Sequence, residues 1–364
     1  MQIQPLTKWI DYDKQQGPLV IAGPCSAESL DQLLITGQSL KKSGQVSMLR
    51  AGVWKPRTRP NCFEGLGPDA LPWLDHLRQV TGLPICVEVG SPGHVEAALS
   101  AKIDVLWIGA RTTTNPFLVQ DIANSLKGVD IPVMVKNPIN PQLALWLGAL
   151  ERMEQAGITK LAAIHRGFSL FDGGPLRNPP LWRIPIELKR LIPKLPIICD
   201  PSHICGSRTK IEEICQQALD LGMDGLMIES HHNPDQALSD RNQQLTPAKL
   251  NSMLKRLITK REYTDDQQFD SKLEDLRNKI DHLDREIIEL LHRRMEVVSK
   301  IGDAKIKKRV TVLQLHRLED LMRKRREIAD QVGLNPDFAS ELYTLIHEES
   351  VRVQTGLAHT PTVQ

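Results

Sequence analysis

A (β/α)8 TIM barrel followed by an all-α three-helix domain is the fold class predicted by the 364-residue sequence, and three observations predict it. Eight short apolar runs rich in β-formers alternate with helical spacing over the first ~260 residues. Reactive or charged side chains stand at the C-terminal ends of these runs. Beyond about residue 270 the alternation gives way to a charged, heptad-like pattern.

The runs are Leu19-Val-Ile-Ala-Gly, Ser47-Met-Leu-Arg, Ile85-Cys-Val-Glu-Val, Val105-Leu-Trp-Ile-Gly, Val133-Met-Val-Lys, Leu161-Ala-Ala-Ile-His, Ile197-Ile-Cys-Asp and Gly225-Leu-Met-Ile-Glu. Several are introduced by Pro or Gly, as in Gly82-Leu-Pro and Lys194-Leu-Pro, which end a helix and feed the next strand. Eight βα units in about 250 residues is the size of a barrel. A doubly wound sheet is the alternative, because alternation alone does not close a sheet. The count of eight and the chemistry at the strand ends both favour the barrel.

Thr264-Asp-Asp-Gln-Gln-Phe is short and polar, which sets a barrel over 1–262, a linker over 263–269 and a helical domain over 270–364. Leu273, Leu276, Ile280, Leu283, Ile287, Leu290, Val297, Ile301 and Ala304 recur at spacings of three, four or seven. No Gly or Pro interrupts before Gly302, so one helix of roughly 35 residues, on the order of 50 Å, is expected. Two further helices, about 314–331 and 337–354, flank Gly333-Leu-Asn-Pro-Asp, with Asn335 or Asp337 as the cap of the last. Two shorter helices cannot cover the whole seam of the long one, so a homodimer through this region is expected.

Apolar residues make up 41% of the chain and charged residues 25%, with a net charge of +2, as in an ordinary soluble globular protein. That balance gives no global attraction to nucleic acid or an anionic membrane. The basic runs Arg293-Arg, Lys305-Ile-Lys-Lys-Arg and Arg323-Lys-Arg-Arg are offset by acidic residues: 270–364 holds 17 Lys/Arg and 17 Asp/Glu. They read as solvated helix faces, so no nucleic-acid partner is expected. No run approaches the ~18 apolar residues of a membrane span. The start has no secretory pattern, and the six cysteines have neither C-x-x-C spacing nor the density of a disulfide scaffold. A cytoplasmic location is expected.

In a barrel the C-terminal strand ends converge on one mouth. Here they carry Cys25, Arg50, Glu88, Arg111, Lys136, His165 with Arg166, Asp200 with His203, and Glu229. Arg50, Lys55, Arg57, Arg111, Lys136 and Arg166 would crowd six cations around one cleft, which only anions relieve; guanidinium forks suit phosphate and carboxylate. A strongly anionic substrate set, two phosphorylated molecules, follows. Cys25, His203, Glu229 and Asp240 form a mixed sulfur, nitrogen and oxygen set that suits a divalent transition ion rather than Mg2+ or Ca2+. Mn2+ heads that list, with Fe2+, Co2+ and Zn2+ also fitting.

Gly23-Pro-Cys-Ser, Arg50-x4-Lys-Pro-Arg-Thr, Gly109-Ala-Arg, Asp200-Pro-Ser-His and Leu238-Ser-Asp occur in this order, and over about 15–262 the chain closely resembles 3-deoxy-D-arabino-heptulosonate 7-phosphate synthase in its shorter microbial subtype. The segment Lys55-Pro-Arg-Thr separates it from the sister octulosonate 8-phosphate family, which typically has an Asn-Arg-Ser type segment there. The resemblance implies condensation of phosphoenolpyruvate with erythrose 4-phosphate. It places Arg50 and Lys55 on the phosphoenolpyruvate carboxylate and Arg111, Lys136 and Arg166 on its phosphate. Pro56, Arg57 and Thr58 fall to the aldose phosphate segment, and Cys25, His203, Glu229 and Asp240 to the metal. Lys55 is the expected proton donor to the new hydroxyl, and Glu88 the group that positions water. Arg59 stands where the family commonly has Ser.

Leu276-Arg-Asn-Lys-Ile-Asp, Leu290-Leu-x-Arg-Arg, Lys305 and Glu349-Ser-x3-Gln resemble the all-helical chorismate mutase fold over about 270–355. The resemblance assigns Arg277, Arg294 and Arg317 to the carboxylates of chorismate, Lys305 and Gln354 to its ether oxygen, and Ser350 to the pocket wall. Arg277 and Lys305 are 28 residues apart, about 42 Å of helix, so the family's solution is an arginine from the partner subunit. Gln314 and Leu318 stand where relatives often carry carboxylates. The alternative is therefore an active barrel whose helical domain mainly senses chorismate or prephenate, and inhibition of the barrel by prephenate through that domain is expected.

Overall fold

The computed structural model describes residues 1–358 apart from 11, 13–16, 56–62, 171–173 and 261–263. The chain divides into two compact units, Met1–Glu262 and Tyr263–Gln364.

The first unit is a closed barrel of eight parallel strands in sequence order. They are β1 (Leu19–Gly23), β2 (Met48–Arg50), β3 (Ile85–Val89), β4 (Val105–Ile108), β5 (Val133–Lys136), β6 (Leu161–His165), β7 (Ile197–Cys199) and β8 (Gly225–Glu229). The closure that alternation left open is made by β1, which pairs with β8 from Leu19↔Gly225 to Gly23↔Glu229 and with β2 on its other edge. The helices are α1 (Leu30–Ser43), α2 (Leu71–Thr81), α3 (Pro92–Ser100), α4 (Ala110–Thr113), α5 (Pro116–Ser125), α6 (Leu143–Gln155), α7 (Arg183–Leu191), α8 (Pro201–Cys205), α9 (Ile211–Asp220) and α10 (Pro247–Leu254). Of these, α1, α2, α3, α5, α8 and α10 start where a Ser, Asn, Asp or Thr cap, or a Pro at the first turn, suits the free N–H groups, as at Ser29, whose side chain accepts from Gln32 N.

Strand parity decides what reaches the barrel axis, since successive side chains face opposite sides. Ile21, Met48, Cys86, Trp107, Met134, Ile164, Ile198 and Met227 fill the interior, closed at the bottom by Leu6. Val20, Leu49, Val87, Leu106, Val135, Ala163, Cys199 and Leu226 face the helices. Continuing the inward set by two residues predicts Arg50, Glu88, Lys136, Arg166, Asp200 and Glu229 at the mouth, and by four residues from Ile21 it predicts Cys25. It sends His165 the other way.

The second unit consists of α11 (Gln267–Lys308), α12 (Leu315–Gln331) and α13 (Pro336–Ala358). Helix α11 has 42 residues rather than about 35. It begins inside the stretch read as linker, because Asp266 accepts from Gln268 N and Phe269 N and caps it there. It also runs unbroken through Gly302, which is buried. Asn335 is the N-terminal cap of α13, its side chain accepting from Asp337 N and Phe338 N. Along α11, Leu276, Ile280, Leu283, Ile287, Leu290 and Val297 remain 46–59% exposed, an apolar stripe that α12 and α13 leave uncovered.

Candidate active sites

At the mouth of the barrel a cavity of about 240 Å³ is lined by Lys55, Glu88, Arg111, Lys136, Arg166, Ser169, Arg177, Asn178, His203 and Asp240, with Ala110 and Ile139. Of the six predicted cations, Lys55, Arg111, Lys136 and Arg166 are brought together here. Arg50 lies fully buried beside them, 3.1 Å from Glu229 and with its guanidinium 5.1 Å above the Trp107 ring. None of its three nitrogens has a hydrogen-bond partner among the described residues. Pro56, Arg57, Thr58 and Arg59 lie outside the described residues. Burial, relieved by Asp200 but reinforced by Arg177 and Arg111, lowers Arg166 to about 10. Cations crowded until one of them is destabilised form a receptor for polyanions.

Cys25, Glu229 and Asp240 present ligand atoms all within 4.8 Å of one another. Cys25 Sγ is 3.3 Å from Asp240 Oδ2, and His203 Nε2 is 3.8 Å from Glu229 Oε1. The four residues predicted as one set thus converge on one corner of the mouth. His203 Nδ1 lies 2.9 Å from Asp200 Oδ2. Because the carboxylate can only accept, the ring proton sits on Nδ1 and Nε2 is left bare toward the other three. Asp200 also holds Lys136 Nζ at 2.8 Å. Burial opposes its ionisation, but His203 and Lys136 prevail and hold its carboxyl well below the usual range.

The donor set fits a divalent transition ion on two counts. Glu229 Oε1 is buried and accepts no hydrogen bond among the described residues, its charge being met by the Arg50 guanidinium 3.1 Å away. Burial, with the Glu229 carboxylate adding to it, pushes the Cys25 thiol up to about 12, so this sulfur ionises only beside a cation. The backbone prepares the corner: Gly23 has φ +149 and a Cβ there would stand 2.1 Å from the Arg50 carbonyl oxygen. Asp240 itself has φ 44, a left-handed conformation that Asp tolerates better than most residues.

Lys55 folds over Gly52, where a Cβ would meet its Nζ at 2.8 Å. Burial works against its ammonium, but Cys25 and Glu229 prevail and raise its pKa, so the nitrogen carries a proton at neutral pH. Glu88 accepts from Trp107 Nε1 at 3.2 Å through Oε2, and its other oxygen lies over Gly109, where a Cβ would be only 2.0 Å away. The glycine of Gly109-Ala-Arg is thus a steric requirement of Glu88.

Several residues at this mouth were not foreseen. Trp107 is the floor on which Arg50 rests, with Lys136 Nζ 5.8 Å from its ring; its inward parity was the available signal. Arg177 bonds Asp240 Oδ1 at 3.2 Å and Gln243 Oε1 at 3.1 Å. Gln244 accepts from Cys25 N at 2.9 Å and donates to the Ser239 carbonyl at 2.8 Å, tying the loop after β8 to the loop after β1. Arg177 and these glutamines lie on long loops, where no periodicity points them out.

His165 corrects one expectation. It is fully buried outside the barrel, its ring 5.3 Å from Trp182, 5.7 Å from Phe168 and 6.2 Å from Trp146. Burial lowers its pKa from 6.5 to about 3, against a smaller opposing contact with the Pro180 backbone. The unfolded chain therefore takes up this proton first, and the contribution is intact above pH ~6.5 and lost as pH falls toward about 3. His165→Leu is expected to remove that dependence. Urea unfolding at several pH values should show the variant gaining on the parent by up to about 1.4 kcal/mol per pH unit within the window.

In the helical unit, Arg294 donates to Ser350 Oγ at 2.6 Å, and Gln354, buried one turn later, donates to the Ser350 carbonyl at 3.2 Å. Gln354 Oε1 is buried without a partner among the described residues. These three form one hydrogen-bonded cluster between α11 and α13. Lys305 Nζ bonds the Val312 carbonyl at 2.6 Å. Arg317 is exposed and pairs with Asp320 at 3.3 Å; Arg277, also exposed, lies 3.7 Å from Glu274. A single chain does not gather Arg277 with Arg294, as the helix length requires. Arg325, whose guanidinium lies 5.3 Å over Tyr343, was not foreseen. Burial lowers the Arg294 pKa, with Arg325 adding to it and Tyr343 opposing.

Among the described residues no helix is long and apolar enough to cross a membrane. A phospho-2-dehydro-3-deoxyheptonate aldolase of Thermotoga maritima is 33% identical over 227 residues, 62% of this chain and 64% of the relative, so the chain spans just under two thirds of that protein's length. A 2-dehydro-3-deoxyphosphooctonate aldolase of Nitratidesulfovibrio vulgaris is 23% identical over 262 residues, 65% of this chain and 90% of the relative. A crystal structure of the Thermotoga maritima phospho-2-dehydro-3-deoxyheptonate aldolase superposes with a TM-score of 0.58 at 30% identity, covering 65% of this chain and 67% of that one. A truncated 3-deoxy-D-arabino-heptulosonate 7-phosphate synthase of the same organism gives 0.57 at 26% identity, covering 65% and 84%. Residues 276–355 match the chorismate mutase type II family, and residues 9–266 match the DAHP synthetase I family. The chain belongs to the DAHP synthetase I family and carries a chorismate mutase type II domain behind its barrel.

Proposed function

We propose that the barrel condenses phosphoenolpyruvate with erythrose 4-phosphate, giving 3-deoxy-D-arabino-heptulosonate 7-phosphate and phosphate, and that the helical domain rearranges chorismate to prephenate. The observation that carries the first half is one cavity lined by five cations and bordered by Cys25, His203, Glu229 and Asp240. Those four residues would hold a divalent transition ion, Mn2+ first, whose chemistry when bound is to polarise the aldehyde oxygen. Arg50, held by Glu229 and Trp107, offers its guanidinium to the phosphoenolpyruvate carboxylate, and Arg111, Lys136 and Arg166 surround its phosphate. Carbon 3 of phosphoenolpyruvate attacks the aldehyde carbon, and the Lys55 ammonium gives its proton to the oxygen that becomes the new hydroxyl. Glu88, held by Trp107, positions the water that adds at carbon 2 before phosphate leaves. The test is consumption of phosphoenolpyruvate with erythrose 4-phosphate, with and without chelator: no turnover with any of the four ions would overturn the reading.

Lys55→Met is expected to lower kcat by about 10²–10⁴, the range for a positioned general acid. Near-normal kcat with only a raised KM would leave Lys55 a binding residue.

The second half rests on Arg294, Ser350 and Gln354 forming one hydrogen-bonded cluster, with Lys305 and Arg317 on the same unit. The uncovered apolar stripe of α11 supports a homodimer, in which Arg277 of one chain reaches the other's pocket. A second reading, a sensing module, is favoured by Leu318, which cannot hydrogen-bond to substrate, and by Gln314, which is neutral. Under either reading prephenate is expected to inhibit the barrel through the helical domain. A chain ending at about residue 265 should lose that inhibition by at least ~10-fold in inhibitor concentration, a coupling of about 1.4 kcal/mol. The unpaired cysteines among the described residues fit a cytoplasmic enzyme.

A further inference from the structure

We propose that Gln243, with Arg177, selects which single oxygen of each carboxylate faces the ion site; the inference rests on the ion-site reading above. Gln243 is 1% exposed. Its Nε2 donates to Glu229 Oε2 at 2.7 Å, and its Oε1 accepts from Arg177 at 3.1 Å. The amide has no alternative orientation, because a guanidinium only donates and a carboxylate only accepts.

The same Arg177 nitrogen lies 3.2 Å from Asp240 Oδ1. The pair therefore holds one oxygen of each carboxylate, Glu229 Oε2 and Asp240 Oδ1. The other two oxygens face the cluster: Asp240 Oδ2 is 3.3 Å from Cys25 Sγ, and Glu229 Oε1 is 3.8 Å from His203 Nε2, with the buried Arg50 guanidinium 3.1 Å away on its other side. Both carboxylates are thereby prepared to bind through one oxygen each, leaving coordination positions for an aldehyde oxygen or water. Gln243 is a positioning residue in this scheme; it touches neither substrate nor reacting atom. Arg177 has half its side chain exposed at the cavity, so the device is anchored where an anionic substrate would bind.

The experiment is a Co2+ titration of the full-length chain, read by absorbance. A thiolate-to-cobalt charge-transfer band reports ligation by Cys25, and the visible d–d bands report coordination number and geometry. Gln243→Leu removes both hydrogen bonds at similar size; Gln243→Glu keeps the shape but faces Glu229 with an acceptor instead of a donor. Both are expected to retain the charge-transfer band, to shift the d–d bands and to bind Co2+ about 10–100-fold more weakly, as when an outer partner of a metal ligand is removed. Arg177→Leu should shift the d–d bands in the same direction. Parental d–d bands and affinity in a folded Gln243 variant would overturn the proposal. Absence of the charge-transfer band from the parent chain would instead overturn the ion-site reading, and the proposal with it.

Discussion

Cys25→Ala is expected to lower condensation turnover by about 10³, equivalent to about 4 kcal/mol of transition-state stabilisation. The sulfur is fully buried and its thiol is held neutral up to about 12, so without a cation it is chemically inert. Burial dominates, and the Glu229 and Asp240 carboxylates add to it against the opposing Lys55 and Arg50. Such an arrangement is costly as a packing unit and sensible as a ligand set. Deleting one small buried sulfur costs only about 1 kcal/mol of packing, so the folded fraction at 25 °C should hardly change while turnover collapses. Steady-state kinetics with saturating Mn2+, alongside circular dichroism and a metal titration, separates the two effects. A variant that kept turnover within ~10-fold (about 1.4 kcal/mol) and bound metal like the parent would reduce Cys25 to a buried thiol.

Much of the barrel was legible because a period-2 pattern interrupted by helical spacing has few other solutions. All eight runs became strands within a residue or two of the expected ends. The site was legible where it followed strand parity, as for Arg50, Glu88, Lys136 and Glu229. His165 misled because it is the last residue of β6 and faces out, while Arg166 turns in. A strand end has two faces, and only the register of the whole strand says which one a polar residue takes. Arg177, Gln243 and Gln244 were invisible for another reason. They act from loops, where position is set by tertiary contacts rather than by a repeating dihedral. The first turn of α11 was misassigned because polarity was read as a linker, whereas Asp266 turns that polarity into a helix cap.

Arg294→Ala is expected to lower chorismate turnover by about 10²–10³ while leaving condensation by the barrel within ~2-fold in the absence of prephenate. Rearrangement of a dicarboxylate needs no nucleophile; catalysis comes from fixed cations and donors around a developing charge, so loss of one fixed guanidinium removes a large share of it. Arg294 is the best placed cation in the single chain: it is partly buried, and Ser350 fixes it at 2.6 Å. Arg317 and Arg277 are exposed and face acids of their own helices, Asp320 and Glu274. The same variant separates the two readings of the helical domain. If the domain is chiefly a mutase, loss appears in kcat for chorismate. If it is chiefly a sensor, the parent's chorismate turnover is already low, and the change appears as a ~10-fold or greater rise in the prephenate concentration that inhibits the barrel. A variant unchanged in both measurements would show that the cluster formed by Arg294, Ser350 and Gln354 binds neither ligand.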